Sequence, residues 1–339
     1  MINRVYRLVA PKQIQVNFSN IDLNTSDVIV RPKFLSICAA DQRYFQGLRS
    51  PEALRKKLPM ALIHECAGVV VHDASGVYKP GQKVLLVPNQ PFAPPGIIRD
   101  NYAQTSKFRA SGYDGFMQEF VSIVHDCVVP YESIDDSIAS VCELISVAVH
   151  TVNTFMETAH SIRNSIAVYG DGNLGYIVAL LLKTLLPETE LHIMGIVDEK
   201  LALFSFADHV HHSDQLPEGL RVDHAFECVG GQASGIAVNS IIDIINPQGT
   251  IMLMGVSEQP IPVNTRMVLE RGLTLIGRSR STTEDFAATR DLLEAHPEMQ
   301  QSLRRIIRET IPVSTIDDMN NAFNTDFSSP YKTVMEWLV

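Results

Sequence analysis

The sequence predicts an α/β protein: a doubly wound parallel sheet preceded by an all-β, barrel-like domain. Three observations predict it. The chain's 339 residues are many for one ordinary domain and few for three, so two domains with separate cores are expected. The first half carries short alternating apolar runs broken by Pro, Gly and Asn/Asp clusters, which is strand grammar. From about Ser146 the rhythm becomes apolar strand, glycine turn, helix and strand again, the pattern of a parallel sheet.

In chain order, strands are expected at VYRLV, IQVNF, DVIVRPKFLSI, CAGVVVHD, KVLLVP and FMQEFVSI. The second pattern runs through SIAVYG, YIVALLLKTLL, ELHIMGIVD, VDHAFECVG, NSIIDIINP and TIMLMGV. His209, His211 and His212 in ADHVHHSD read as a solvated loop, because no acid or thiol is spaced to complete a metal site. After Ser281 come two amphipathic segments, DFAATRDLLEAH and SLRRIIRETI, and then KTVMEWLV, which reads as a terminal strand.

Composition excludes several classes of function. Hydrophobic residues at 45% and charged residues at 19% describe an ordinary globular protein rather than a disordered or fibrous one. No run of 18 apolar residues occurs, and the start lacks the apolar stretch of a signal peptide, so a cytoplasmic protein is expected. The five cysteines are scattered and form no CxxC pair, which argues against a disulfide framework. A net charge of −10 argues against a nucleic-acid surface; an anionic ligand would need a local basic pocket.

Gly170, Gly172 and Gly175 in SIAVYGDGNLGYIVALLLK form GxGxxG between a strand and a helix. The first glycine permits the tight turn, the second lets amides near Asn173 and Leu174 approach a pyrophosphate, and the third allows close helix–sheet packing. Dinucleotide binding is expected; a ligand-free glycine turn is the alternative. The end of the next strand selects the cofactor, since an acid there binds the ribose hydroxyls and repels a 2′-phosphate. That position falls at Gly195, with Lys200 nearby, which favours NADP(H). A strand ending three residues later would make Asp198 the ribose acid and reverse the preference, and Lys200 reads equally as a solvated helix residue.

Cys38, in SICAADQRYF, stands in a polar turn between an apolar strand and a helix. With His64 and Glu65 in PMALIHECAG and Glu143 in SVCELISVAVH, it offers a thiolate, an imidazole and carboxylates suited to zinc. Spacing alone leaves the other readings open: a small core cysteine, a structural histidine and an exposed helix acid.

Taken together, the cysteine turn, the HE pair, the glutamate before the second domain, GxGxxG and FECVGG resemble the zinc-dependent medium-chain dehydrogenases/reductases over nearly the whole chain. The resemblance implies a GroES-like catalytic domain at 1–145, completed by 285–339, and an NADP-binding Rossmann domain at 146–284. It implies Cys38, His64 and Glu143 as catalytic zinc ligands, Glu65 as the adjacent acid able to join them, and Asp41 as the acid orienting His64. It places Cys228, Val229, Gly255 and Val256 along the nicotinamide, with Cys228 as a packing residue. Two departures stand out. PNQPFAPPGIIRDNYAQTSKF contains no cysteine where many members hold a structural zinc, so one zinc is expected. Ala40 stands where alcohol dehydrogenases have a proton-relaying Ser or Thr, so another route is expected, with zinc-bound water and Glu65 or Tyr44 as the candidate.

Within that family, ICAADQRYF, GYDGFMQEFV, GDGNLGYI, VNTRMVLERGLTLIG and LPEGL are similar to the ribulose-5-phosphate reductases that serve CDP-ribitol synthesis for wall teichoic acid or capsule. This implies NADPH-dependent reduction of D-ribulose 5-phosphate to D-ribitol 5-phosphate. Arg43 and Arg280 are the candidates for the substrate phosphate, with Lys56, Lys57, Lys107 and Arg109 behind them, because a guanidinium fork pairs bidentately with phosphate. The resemblance also implies a homodimer and suggests a complex with the cytidylyltransferase of the same pathway. Two competing readings are an NAD(P)-linked polyol dehydrogenase for unphosphorylated sugars and a catalytically silent dinucleotide-binding scaffold.

Overall fold

The computed structural model describes residues 1–25, 27–91 and 96–339. They form two compact units, Met1–Ser146 with Arg280–Val339, and Val147–Ser279. Four residues of the cysteine-free stretch, 92–95, lie outside the described residues.

In the first unit, β1 (Ile2–Ala10) and β2 (Gln13–Asn20) form an antiparallel hairpin, and β4 (Met60–Ala61) pairs with the other edge of β1. The main sheet is built on β3 (Val28–Ser36), β5 (Glu65–Asp73), β6 (Lys83–Leu86), β9 (Val121–Ile123) and β10 (Val128–Pro130). A small pair, β7 (Asn89–Gln90) and β8 (Lys107–Phe108), stands apart. Pro32 interrupts β3 without ending it, because the register against β5 shifts between Pro32 and Phe34; a residue with no N–H is tolerated at such a bulge. Pro32 stands opposite Gly68, where a Cβ would come within 2.6 Å of the Arg31 carbonyl oxygen.

In the second unit six strands lie parallel: β11 (Ser165–Tyr169), β12 (Glu190–Gly195), β13 (His209–His212), β14 (His224–Glu227), β15 (Thr250–Leu253) and β16 (Thr274–Gly277). Their order, β13-β12-β11-β14-β15-β16, is the doubly wound order 3-2-1-4-5-6. One face carries a core of Ala167, Met194, Ala225, Val238, Ile241 and Ile251. NSIIDIINP belongs largely to the helix Ala233–Ile244.

The chain then returns to the first unit. SLRRIIRETI, expected as one amphipathic segment, is divided between the end of the helix Pro297–Leu303, a 3-10 turn at Arg304–Ile306, and the start of β17 (Ile307–Val313). The terminal strand β18 (Lys332–Trp337) runs parallel to β17 and antiparallel to β3, with Val334 opposite Ser36. Trp337 anchors it, edge-on to Tyr6 and donating its indole N–H to the Gln118 carbonyl. Among the described residues, no helix is long and apolar enough to cross a membrane.

His209–His212 is a second departure from expectation. These residues form β13, and pairing with β12 brings His209 together with Glu190 and His192. Parallel pairing joins residues that are distant in sequence, which a local scan of ADHVHHSD does not register.

Candidate functional site

The first unit gathers most of the chemically capable side chains through the register of β3 and β5. Ser36, the last residue of β3, lies opposite Glu65, the first of β5. Cys38 therefore emerges beside His64 and Glu65, at the start of the helix Ala39–Phe45. One donor atom each from Cys38, His64 and Glu65 lies within 4.8 Å of the others. Glu143 enters from the first turn of the helix Cys142–Thr158, with Oε2 4.0 Å from His64 Nε2. His64, Glu65 and Glu143 are buried and Cys38 is half-buried.

Asp41 organises this corner. Its carboxylate accepts the Cys38 N–H at 3.2 Å and the Ile63 N–H at 2.9 Å, and lies 3.6 Å from His64 Nδ1. Ile63 has φ of 68°, a left-handed conformation that β-branched residues rarely adopt. Its carbonyl accepts the Phe116 N–H at 2.7 Å, and a Cβ on Gly115 would sit 2.3 Å from that same oxygen. His64 is thus aimed by a strained residue held at both ends, a form of strain that clusters at functional sites.

The electrostatics favour a cation. Burial pushes the Glu143 carboxyl up to about 7, with His64 opposing the rise and Glu65 adding to it. Burial opposes charge on His64, but Asp41 and Cys38 outweigh it and hold the imidazole well above its ordinary range. Lys332, which sequence reasoning missed, is buried on β18 and donates to Glu65 Oε1 at 2.8 Å and to the Ile37 carbonyl at 3.0 Å. Burial lowers its pKa; Glu65 and Cys38 more than reverse this. The other carboxylate oxygen, Glu65 Oε2, is buried without a hydrogen-bond partner among the described residues. A thiol, an imidazole and two carboxylates, one of them with an orphaned oxygen, make a donor set that fits zinc.

Phe108 connects Arg280 to this cluster. Its ring centre lies 5.2 Å from that of His64, and the Arg280 guanidinium stacks over it at 5.0 Å. Arg280 has φ of 57°, an uncommon conformation for a residue with a side chain. Arg43 occupies the last turn of the helix that begins beside Cys38. Arg109 is buried and committed to the Asp114 and Ser122 carbonyls, so it is withdrawn from the phosphate candidates. Lys57 donates to Ser111 Oγ and lies over the Tyr44 ring.

In the second unit the glycine turn has the geometry that its sequence implies. Gly170 has φ of 121°, and a Cβ at Gly175 would strike the Gly170 carbonyl oxygen at 1.9 Å. At Gly172 a Cβ would meet nothing within 4 Å, leaving the cradle at the N-terminus of the helix Asn173–Leu185 open to a phosphate group. β12 ends at Gly195. A Cβ there would lie 2.6 Å from Asp171 Cβ and 2.7 Å from Leu201 Cδ2, so sterics as well as charge exclude an acid. Asp171 Oδ2 is occupied by the Ile196 and Val197 N–H groups at 2.7 and 2.8 Å. Lys200 is half-buried in the helix Asp198–Leu201. Cys228 packs beneath Gly170, its thiol held well above the ordinary range first by burial and then by Glu227. Glu227 also accepts the Val229 and Gly255 N–H groups, joining the two loops that carry Val229 and Val256.

Comparison with known proteins accords with both halves. Residues 24–133 match the alcohol dehydrogenase GroES-like domain, and residues 190–295 match the zinc-binding dehydrogenase family. Ribulose-5-phosphate reductase 1 of Staphylococcus aureus is 49% identical, with 100% of each chain covered. The ribulose-5-phosphate reductase of Bacillus spizizenii is 47% identical over 99% of each. A crystal structure of S. aureus TarJ in complex with NADPH superposes with a TM-score of 0.90 at 46% identity, covering 100% of both chains. With identity at this level from end to end, the chain belongs to the zinc-dependent medium-chain dehydrogenase/reductase family, among its ribulose-5-phosphate reductases.

Proposed function

We propose that this oxidoreductase reduces D-ribulose 5-phosphate to D-ribitol 5-phosphate with NADPH, supplying CDP-ribitol synthesis for wall teichoic acid or capsule. The observation that carries this reading is a cation-seeking cluster at Cys38, His64, Glu65 and Glu143 in a chain 49% identical, end to end, to a ribulose-5-phosphate reductase.

The first unit, Met1–Ser146 with Arg280–Val339, acts as the catalytic domain, and Val147–Ser279 as the NADP-binding domain. Cys38, His64 and Glu143 would hold one zinc, and Glu65 is close enough to join them. Zinc bound there would supply Lewis acidity toward the substrate carbonyl, and bound NADPH would supply the hydride. Asp41 fixes the orientation of His64, and Lys332 balances the charge of Glu65. The proton needed at the product oxygen comes from solvent by way of Glu65 or Tyr44, because Ala40 has no hydroxyl to relay it. Gly170, Gly172, Asn173, Leu174 and Gly175 receive the pyrophosphate, Gly195 and Lys200 accommodate the 2′-phosphate, and Cys228, Val229, Gly255 and Val256 border the nicotinamide.

Arg43 and Arg280 take the substrate phosphate. Arg280 is favoured by its shared contact with Phe108 beside His64. The protein is cytoplasmic and dimeric, joined through β16 at the edge of its sheet, and associates with the cytidylyltransferase that uses its product.

The test is NADPH oxidation with D-ribulose 5-phosphate run beside D-ribulose. The expected result is turnover of the phosphorylated sugar alone, with Arg280→Ala raising KM by about tenfold, a loss of about 1.4 kcal/mol of binding. Equal use of both sugars would assign the chain to unphosphorylated polyols.

A further inference from the structure

A second group of metal-binding side chains lies in the other unit, on residues that the proposed reaction does not use. β12 and β13 run side by side, with His192 opposite His209 and Met194 opposite His211. Side chains alternate across a strand, so Glu190, His192 and Met194 share one face, and His209 and His211 share it with them. The three imidazoles are stacked: ring centres are 4.5 Å apart for His192 and His209, and 5.4 Å apart for His192 and His211. Donor atoms of Glu190, His192 and His209 all lie within 4.8 Å of one another.

Hydrogen bonding presents His192 as a ligand. Its Nδ1 is 3.1 Å from His211 Nε2, so one proton lies between the two rings. With that proton on His192, its Nε2 lone pair is open on the side where Glu190 Oε2 lies 4.0 Å away. A ligating imidazole is commonly held this way, with its second nitrogen donating to a neighbour. The neighbouring Asp208 is engaged by Lys183 and by the Leu191 N–H, which leaves Glu190 as the available acid.

We propose that Glu190, His192 and His209 bind a divalent transition metal of the zinc class, with His211 orienting His192. Two imidazoles and one carboxylate suit this class better than magnesium or calcium, which prefer all-oxygen shells. A zinc shell with bonds of about 2.1 Å needs the donors somewhat closer together. His192 is buried and fixed, whereas Glu190 and His209 are exposed and can turn inward. β13 is the edge strand of its sheet among the described residues, so an ion shared between β12 and β13 fastens the edge and stabilises the fold without entering catalysis.

The experiment is equilibrium dialysis of the zinc-depleted, full-length protein against zinc chloride, with metal per chain read by elemental analysis. Wild type is expected to take up one more zinc than His209→Ala, and Glu190→Gln to weaken that extra ion at least tenfold. Circular dichroism should show both variants folded, and NADPH-dependent turnover should be unchanged in His209→Ala. Equal zinc uptake by wild type and a folded His209→Ala, or an extra zinc retained unweakened in both variants, would overturn the proposal.

Discussion

Glu65 is completely buried, with Lys332 on one carboxylate oxygen and, among the described residues, no partner on the other. Removing one member of such a pair leaves a charge stranded in the interior, which costs about 3–5 kcal/mol. Lys332→Met is therefore expected to lower unfolding stability by about that amount in urea titrations, and a loss below about 1 kcal/mol would show that the pair is dispensable. Spacing left Cys38, His64, Glu65 and Glu143 open to structural readings, and the family resemblance singled them out; the fold sets Cys38, His64 and Glu65 together, with Glu143 beside His64. Lys332 was not legible in the sequence. Its partner is 267 positions away, and only the pairing of β18 with β3 brings them together. The available signal was a lysine opening the terminal strand KTVMEW.

At the scale of elements, the glycine turn and the histidine-bearing strands make opposite points about what can be read in advance. The turn was legible because two of its glycines answer local demands, Gly170 with φ of 121° and Gly175 with the Gly170 carbonyl against it. Gly175→Ala would place a methyl 1.9 Å from the Gly170 carbonyl oxygen, so it is expected to abolish NADPH binding measured by fluorescence titration; wild-type affinity would contradict the close packing. β13 was read as a loop because its histidines make sense only beside β12.

His224, at the start of β14, adds a pH dependence. Its Nε2 lies 3.0 Å from the Ile162 carbonyl, while Nδ1 accepts the Thr250 N–H at 3.1 Å, so the neutral ring satisfies both. Burial, and then His160, lower its pKa to about 4, below the roughly 6.5 of an exposed histidine. Its contribution is thus complete above about pH 6.5 and lost as pH falls through about 4. Unfolding stability measured across this window should fall more steeply in wild type than in His224→Gln; parallel profiles would contradict the assignment.

For the whole molecule, strand alternation and βα repeats have different periods, and the change from one to the other near Ser146 falls beside the division between Met1–Ser146 and Val147–Ser279. The return of the chain after Arg280 was harder to read. β17 hides within an amphipathic stretch, and the partner of β18 is the third strand of the chain.

The central claim, that the Cys38 cluster holds the zinc on which NADPH-dependent reduction relies, is tested most directly by chelating the protein, returning zinc, and following NADPH oxidation with D-ribulose 5-phosphate in wild type and Cys38→Ser. The account predicts that wild-type turnover disappears on chelation and returns with zinc, while Cys38→Ser stays inactive yet binds NADPH as wild type does. Turnover that persists after chelation, or in Cys38→Ser, would contradict it.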